Sequence, residues 1–522
     1  MTSSHPTGLA ARESVQTTAA EAGVVDFVRS RIAFARANIG LAAGIAIALV
    51  LSYGFALTNF ALSIDEEAHL WKDFTFGWMQ QGRPTVTLVK LALGEFLPLP
   101  FVDLSISLIF ILASFLLWLS LFEEAAGRKV PVFGAAVLFG VFYATLPINF
   151  YFLAFNTYNV EVSFGLVLAA LAVSFSWRWG MLGGGWPAAI LSILFSFLAA
   201  GTYQSLVVLC LAGLIGVFCV HRTASGVRDP SPARGLGRIV LMAVPLLAGA
   251  FGSVLFARLV LPSDGYTEAF MQWGKSNPSE ILGSLISHVA TTFAGGAFVG
   301  GWVVSATVVA GLLVLLLSLR RAFLSGDWLV PLLVVALLAM PFLLSFAVGM
   351  PLPKRSQQAL PLSYGVVWLL LAFFVPRKPV VSGLFIVAAL FLGVWNAQAN
   401  TRLSFSRYLA FQSDKDLAAQ IASALRASGW DGTPLPVVSV GKPAVPERRY
   451  RIIDETIGAS FFGWGEEGRG MLLMYILGYE LNAPTAEQAA EGYRLAGTMP
   501  AWPRQGSVIV RDGIGIVNFG TH

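Results

Sequence analysis

Between Ser63 and Lys72 the chain places Asp65, Glu66, Glu67, His69 and Lys72 directly after a long apolar segment. Carboxylates crowded together beside lipid are held above their ordinary pKa by mutual repulsion and loss of water. A carboxylate in that state can act as a general base toward a hydroxyl near neutral pH. If the stretch is helical, Asp65, His69 and Lys72 share one face at i, i+4 and i+7. The same residues also read as a solvated acidic turn closing a span, and spacing alone does not separate the roles of Glu66 and Glu67.

A second set of candidates is cationic. Arg83, Lys354 and Arg355 fall in short loops on the side where the positive-inside trend disfavours them, so they call for a reason. Guanidinium forks and an ammonium suit a phosphate; contact with lipid head groups is the plainer explanation. Arg258 lies near the end of a span, where an ionisable group is a site candidate or a snorkelling side chain. Glu161 and Asp103 stand at span starts, where the helix dipole favours an acid. Tyr203 and Gln204 sit at a break between two short spans and could face a sugar or satisfy the broken helix. Acidic side chains on this face could also hold a divalent cation, but no ligand set is diagnostic and no metal site is assigned.

These residues need a membrane frame. The 522 residues are 56% hydrophobic and 12% charged, against about 25% charged in soluble proteins. The expected class is an α-helical polytopic membrane protein with about eleven spans. The net charge of +5 is small, and no basic stripe with interleaved aromatics points to nucleic acid. Cys210 and Cys219 lie too far apart along one span for a disulfide.

Residues 1–37 read as a disordered cytoplasmic tail. Arg29, Arg31 and Arg36 before the first span set the N-terminus inside. The membrane part covers 38–397, with an outer loop at 62–100 whose aromatic segments suit interfacial helices. The apolar stretch 186–220 is long enough for two short spans broken near Tyr203. From 398 to 522 the composition becomes that of a small extracytoplasmic α/β domain. An amphipathic helix is expected at 405–428, a strand at Leu435–Gly441, and a hairpin around Asp512-Gly513.

Ser63-Ile64-Asp65-Glu66, Gly77-Trp78 and Gly82-Arg83-Pro84 resemble the first outer loop of the GtrII-type glucosyltransferase family. Tyr203-Gln204, the turn Pro353-Lys354-Arg355, Asp414, Met499–Pro503 and the closing hairpin fit the same pattern. The resemblance implies a GT-C-like enzyme, with Asp65 as base and Glu66 assisting. It implies a hexose, glucose by family, carried on polyprenyl phosphate and moved with inversion to a polysaccharide, an O-antigen or a lipid-linked saccharide. On that reading Arg83, Lys354, Arg355 and Arg258 neutralise the carrier phosphate. His69, Lys72, Glu161, Tyr203 and Gln204 contact substrate, and the site faces the periplasm from the bacterial inner membrane. A flippase of lipid-linked sugars and a polysaccharide polymerase are the alternatives. Transporters tend to carry ionisable groups near mid-span, whereas here they gather at span ends.

Overall fold

The structure, a computed structural model, describes residues 23–71, 74–93, 99–225, 232–263, 265–443, 451–464 and 468–520. Lys72 and residues 1–22 lie outside the described residues. The chain is a polytopic helical protein. Ten helices among the described residues are long and apolar enough to cross a membrane. Ala359–Phe374, of 16 residues, is apolar but shorter, so ten spans stand among the described residues where the sequence suggests about eleven. The stretch 186–220 divides as its length requires, into Gly185–Thr202 and Leu206–Ser225, with Tyr203 extended between them. Within the stretch expected as a disordered tail, the described part differs. Val24–Ala37 is a helix, fixed because Arg31 pairs with Glu124 and the Phe27 ring lies between the guanidiniums of Arg31 and Arg178.

Phe133–Thr145 lies at the centre of the bundle, buried on almost every side. It stops before Pro147, and the chain turns through Pro147–Asn149 and Phe150–Leu153 without leaving the protein interior. Backbone groups exposed by such a break must find partners, because lipid supplies none. Asn400 donates to the Thr145 carbonyl at 2.8 Å, Asn396 to its hydroxyl at 3.0 Å, and Asn149 to the Tyr143 carbonyl at 2.9 Å.

Both asparagines sit on Pro379–Ala427, a helix of 49 residues. The sequence suggests a boundary at 397, and there the surface of this helix changes while its backbone does not. Its apolar first half packs on Phe133–Thr145 and Ile39–Thr58, and its second half is the amphipathic helix expected at 405–428. Phe411, Ile421 and Leu425 of that half are buried against a four-stranded sheet.

Strands β1 (Leu435–Gly441), β2 (Leu481–Asn482), β3 (Val508–Arg511) and β4 (Ile514–Gly520) run in the order β2-β1-β4-β3. β1 is parallel to β2 and β4, while β3 and β4 form the hairpin about Asp512-Gly513. Alternation along β1 sends Val437 toward the long helix and Val438 toward the helix Ala486–Ala496. Ala61, Leu62 and Ile64, which follow the first span, enter the same core as Val437, Val517 and Phe519. The acidic loop is therefore anchored at its start by a domain hundreds of residues later.

Packing of the long helix on Phe133–Thr145 depends on Gly134. Its N–H donates to the Ser382 hydroxyl at 3.0 Å, and a Cβ there would press on the Ser382 carbonyl oxygen. Gly134→Ala should lower stability by about 1–3 kcal/mol, read as a drop in the thermal midpoint of the purified protein. An unchanged midpoint would show that the two helices separate freely.

Candidate active site

The chain between Tyr151 and Tyr158 forms a buried floor, and charged groups from several remote parts of the chain settle on it. The Tyr151 hydroxyl donates to Asp454 at 2.5 Å. The Ala154 carbonyl accepts from the Ser63 hydroxyl at 2.7 Å and from Arg407. The Phe155 ring lies 4.8 Å beneath the Arg355 guanidinium, and the Tyr158 ring faces Arg83. Asn156 and Thr157 hold Glu66, whose carboxylate accepts from the Asn156 amide at 3.1 Å, the Thr157 N–H at 3.1 Å and the Ser63 N–H at 2.7 Å.

Glu66 has no exposed surface. Burial pushes its carboxyl up to about 7 against the pull of these hydrogen bonds and of Arg407. The sequence pairs Glu66 with Asp65 in chemistry, whereas the structure turns the two apart. Glu66 points into the floor and Asp65 points into a cavity. Asp65 does not share a helical face with His69, because the helix Glu66–Trp71 begins one residue later and Asp65 itself has a φ of +87°. A non-glycine residue in that region costs on the order of 1–3 kcal/mol and persists only where its surroundings impose it. Two guanidiniums are part of those surroundings: Arg469 lies 3.1 Å from Asp65 Oδ1 and Arg355 3.6 Å from Oδ2. Arg469 also reaches the buried Glu67 at 2.5 Å, and burial raises the pKa of Glu67.

His69 tucks under Phe74 and Trp78, with ring centroids 4.3 and 4.8 Å away. Burial lowers its pKa to about 4, assisted by Arg83, Lys90 and Arg355, so the ring is neutral at physiological pH. Arg83 is 6% exposed and sits among rings, 4.5 Å from Tyr203, 5.4 Å from Trp78 and 5.8 Å from Tyr158. No carboxylate pairs with it among the described residues, and its Nε has no partner. The Gln204 amide donates to the carbonyls of Gln81 (2.7 Å) and Gly82 (3.2 Å), fixing the turn that presents Arg83.

Two cavities meet at this point. The first, of about 550 Å³, is lined by Arg83, Tyr203, Gln204, Arg258 and Arg355 together with apolar side chains such as Val254, Leu344 and Val348. The second, of about 720 Å³, takes in Asp65, Lys354, Arg355 and Glu455. Arg355 and its neighbours Leu352 and Pro353 form a shared wall. The other candidates already have partners. Lys354 pairs with Asp454, Arg258 pairs with Glu268 at 3.0 Å on the surface, and Glu161 pairs with Lys90 at 3.0 Å away from both cavities. Asp103 accepts from the Leu99 N–H at 2.7 Å at the start of its helix. Asp414 accepts from the Ser460 hydroxyl and the Phe461 N–H, anchoring the segment that brings Asp454 and Glu455 to the site. Among the described residues no three His, Cys, Asp or Glu side chains gather as metal ligands would.

Sequence reasoning missed Arg469, Asp454, Glu455 and Arg407. Only Arg469 leaves a visible trace, as a charge set among glycines in Trp464–Gly470.

A bundle of apolar helices with a polar site at one end and a small domain over it defines a GT-C-like polytopic membrane protein. The chain belongs to the glucosyl transferase GtrII family, which it matches over residues 54–392. Membership makes it a membrane glycosyltransferase of glucosyl type. The match ends before the sheet domain and Arg469. No curated protein and no solved structure matches the chain.

The raised carboxyl of Glu66 has a consequence for stability. Its folded value exceeds the ordinary carboxylate value of 4.5, so the contribution is full below that pH and is lost as pH rises through about 7. The loss amounts to about 3 kcal/mol. The wild-type thermal midpoint should fall between pH 5 and pH 8, and Glu66→Gln should remove most of that slope. A slope unchanged by Glu66→Gln would assign it to another group.

Proposed function

We propose that the protein transfers a hexose, glucose by family, from a polyprenyl-phosphate carrier to a saccharide acceptor with inversion. The bacterial inner membrane is the setting, with the C-terminal domain periplasmic and a surface polysaccharide or O-antigen the recipient. One observation carries this reading: a strained carboxylate and a buried, unpaired guanidinium stand on the two sides of one wall.

The apolar first cavity suits a lipid tail, with the carrier phosphate beside Arg83 and Arg355. Asp65 opens to the second cavity, from which an acceptor hydroxyl would arrive. The hydroxyl gives its proton to the Asp65 carboxylate while its oxygen bonds to the anomeric carbon. The bond from that carbon to the phosphate oxygen breaks, and its electron pair leaves with the phosphate. Growing negative charge on the phosphate is met by Arg83, fixed in place before the reaction and shielded from water. Attack opposite the leaving group inverts the centre. Arg355 touches both partners, because it lies against Asp65 and lines the donor cavity. Glu66 and Arg469 are positioning residues: one pins the loop, and the other holds the Asp65 carboxylate. Neutral His69 adds no charge to compete for the donor phosphate.

With polyprenyl-phosphate-glucose and a polysaccharide acceptor, Asp65→Asn should reduce transfer by about 10²–10⁴-fold, the usual worth of a general base. Arg83→Ala should lower kcat/KM for the donor at least tenfold, about 1.4 kcal/mol. Full transfer by Asp65→Asn, with folding intact, would overturn the assignment of the base.

A further inference from the structure

The second cavity has chemistry that the transfer step does not use. Its charges are largely matched internally: Asp65 lies against Arg355 and Arg469, and Lys354 is paired with Asp454, its N–H donating to Glu455 at 3.0 Å. The rest of its polar lining is neutral. The helix Pro278–Phe293 presents three faces. Ile281 and Leu285 are buried, Leu282 and Ile286 are exposed, and Ser284, Ser287, His288 and Thr291 line the cavity. A hydroxyl recurring at each turn on one face, opposite a buried apolar face, is not required by helix packing.

Gln357 gives an independent sign. It is 4% exposed, and its amide nitrogen lies 3.1 Å from His288 Nε2. Its carbonyl oxygen is buried with no partner. Whichever way the amide is turned, one of its two polar atoms is left unsatisfied, and an unmade buried hydrogen bond is costly. His288 is itself kept toward the neutral form by burial. Trp464, 40% exposed, stands at the same cavity and offers a flat apolar face. Hydroxyls, an amide, a neutral imidazole and an indole together match a ligand that is uncharged, rich in hydroxyls and flat on one side. The donor cavity, with unpaired Arg83, has the opposite character.

We propose that this cavity binds an uncharged oligosaccharide, with Gln357, His288 and the serine stripe as hydrogen-bonding partners and Trp464 as a stacking wall. At about 720 Å³ it falls within the range of roughly 300–1,000 Å³ typical of small-molecule sites. The proposal rests on the transferase reading in taking this saccharide as the acceptor, and it makes the acceptor strand neutral next to Asp65.

The test is binding of the full, purified chain, without donor, to an array of neutral oligosaccharides and matched uronic-acid oligosaccharides. Neutral members should be bound and acidic ones should not. Gln357→Leu, Trp464→Ala and Ser287→Trp should each weaken binding at least tenfold, while Arg494→Ala on the distant helix Ala486–Ala496 binds as wild type. Ser287 is exposed, so its variant fills the cavity without disturbing a core, and an unchanged thermal midpoint checks this. Binding to no neutral member, a preference for acidic ones, or unweakened binding by Ser287→Trp would overturn the proposal. Saccharide bound by a protein without transferase activity would remove the transferase reading and keep the site. Transfer with an unchanged acceptor KM in Ser287→Trp would keep the transferase and remove the site.

Discussion

A carboxylate with no access to water holds the site together. Glu66 is buried beneath the loop it belongs to, and three donors from two segments close around it. Breaking such an arrangement leaves unpaired groups in the interior, which costs far more than the bonds are worth when formed. Asp65, the residue before this anchor, has a left-handed backbone, and its carboxylate opens to the cavity beside Arg355 and Arg469.

The floor beneath Glu66 exists because a central helix ends early. Continuing Phe133–Thr145 would have filled the space with one more apolar turn. Ending it at Pro147 opens a polar shelf inside the bundle, and the asparagines of the long helix satisfy the carbonyl and hydroxyl left at Thr145. The shelf then carries cations on aromatic faces (Arg355 on Phe155, Lys354 on Tyr151) where water is scarce and such contacts are stronger. Arg83, caged by rings instead of carboxylates, keeps its charge available to a ligand.

The spans were legible because lipid allows few ways to satisfy a backbone, so long apolar runs become helices. The break at Tyr203 and the hairpin at Asp512-Gly513 were legible for equally local reasons. The floor was not, since Ile148–Asn159 reads as a connecting loop and its burial depends on neighbours remote in sequence. Nor could the sequence distinguish Glu66 from Glu67: one meets Asn156 and the other Arg469, and neither partner is local. Arg469 is the extreme case, the first residue of the helix Arg469–Ile476, which packs on Glu66–Trp71 and so brings the guanidinium to Asp65 across some four hundred residues. Composition marks 398 as a boundary because hydropathy drops there, whereas the helix backbone runs straight through it.

That uninterrupted helix makes the sheet domain the far arm of a lever whose near arm lies in lipid. The part beyond residue 400 is about 40 Å long at roughly 1.5 Å per residue. Membrane helices meet bilayers of different thickness by tilting. A tilt of only about 5° at the near arm sweeps the far end through roughly 3–4 Å, comparable to the reach of the ion pair between Arg469 and Asp65. A change of tilt would therefore reach the surroundings of Asp65 through stiffness alone, without any bound effector.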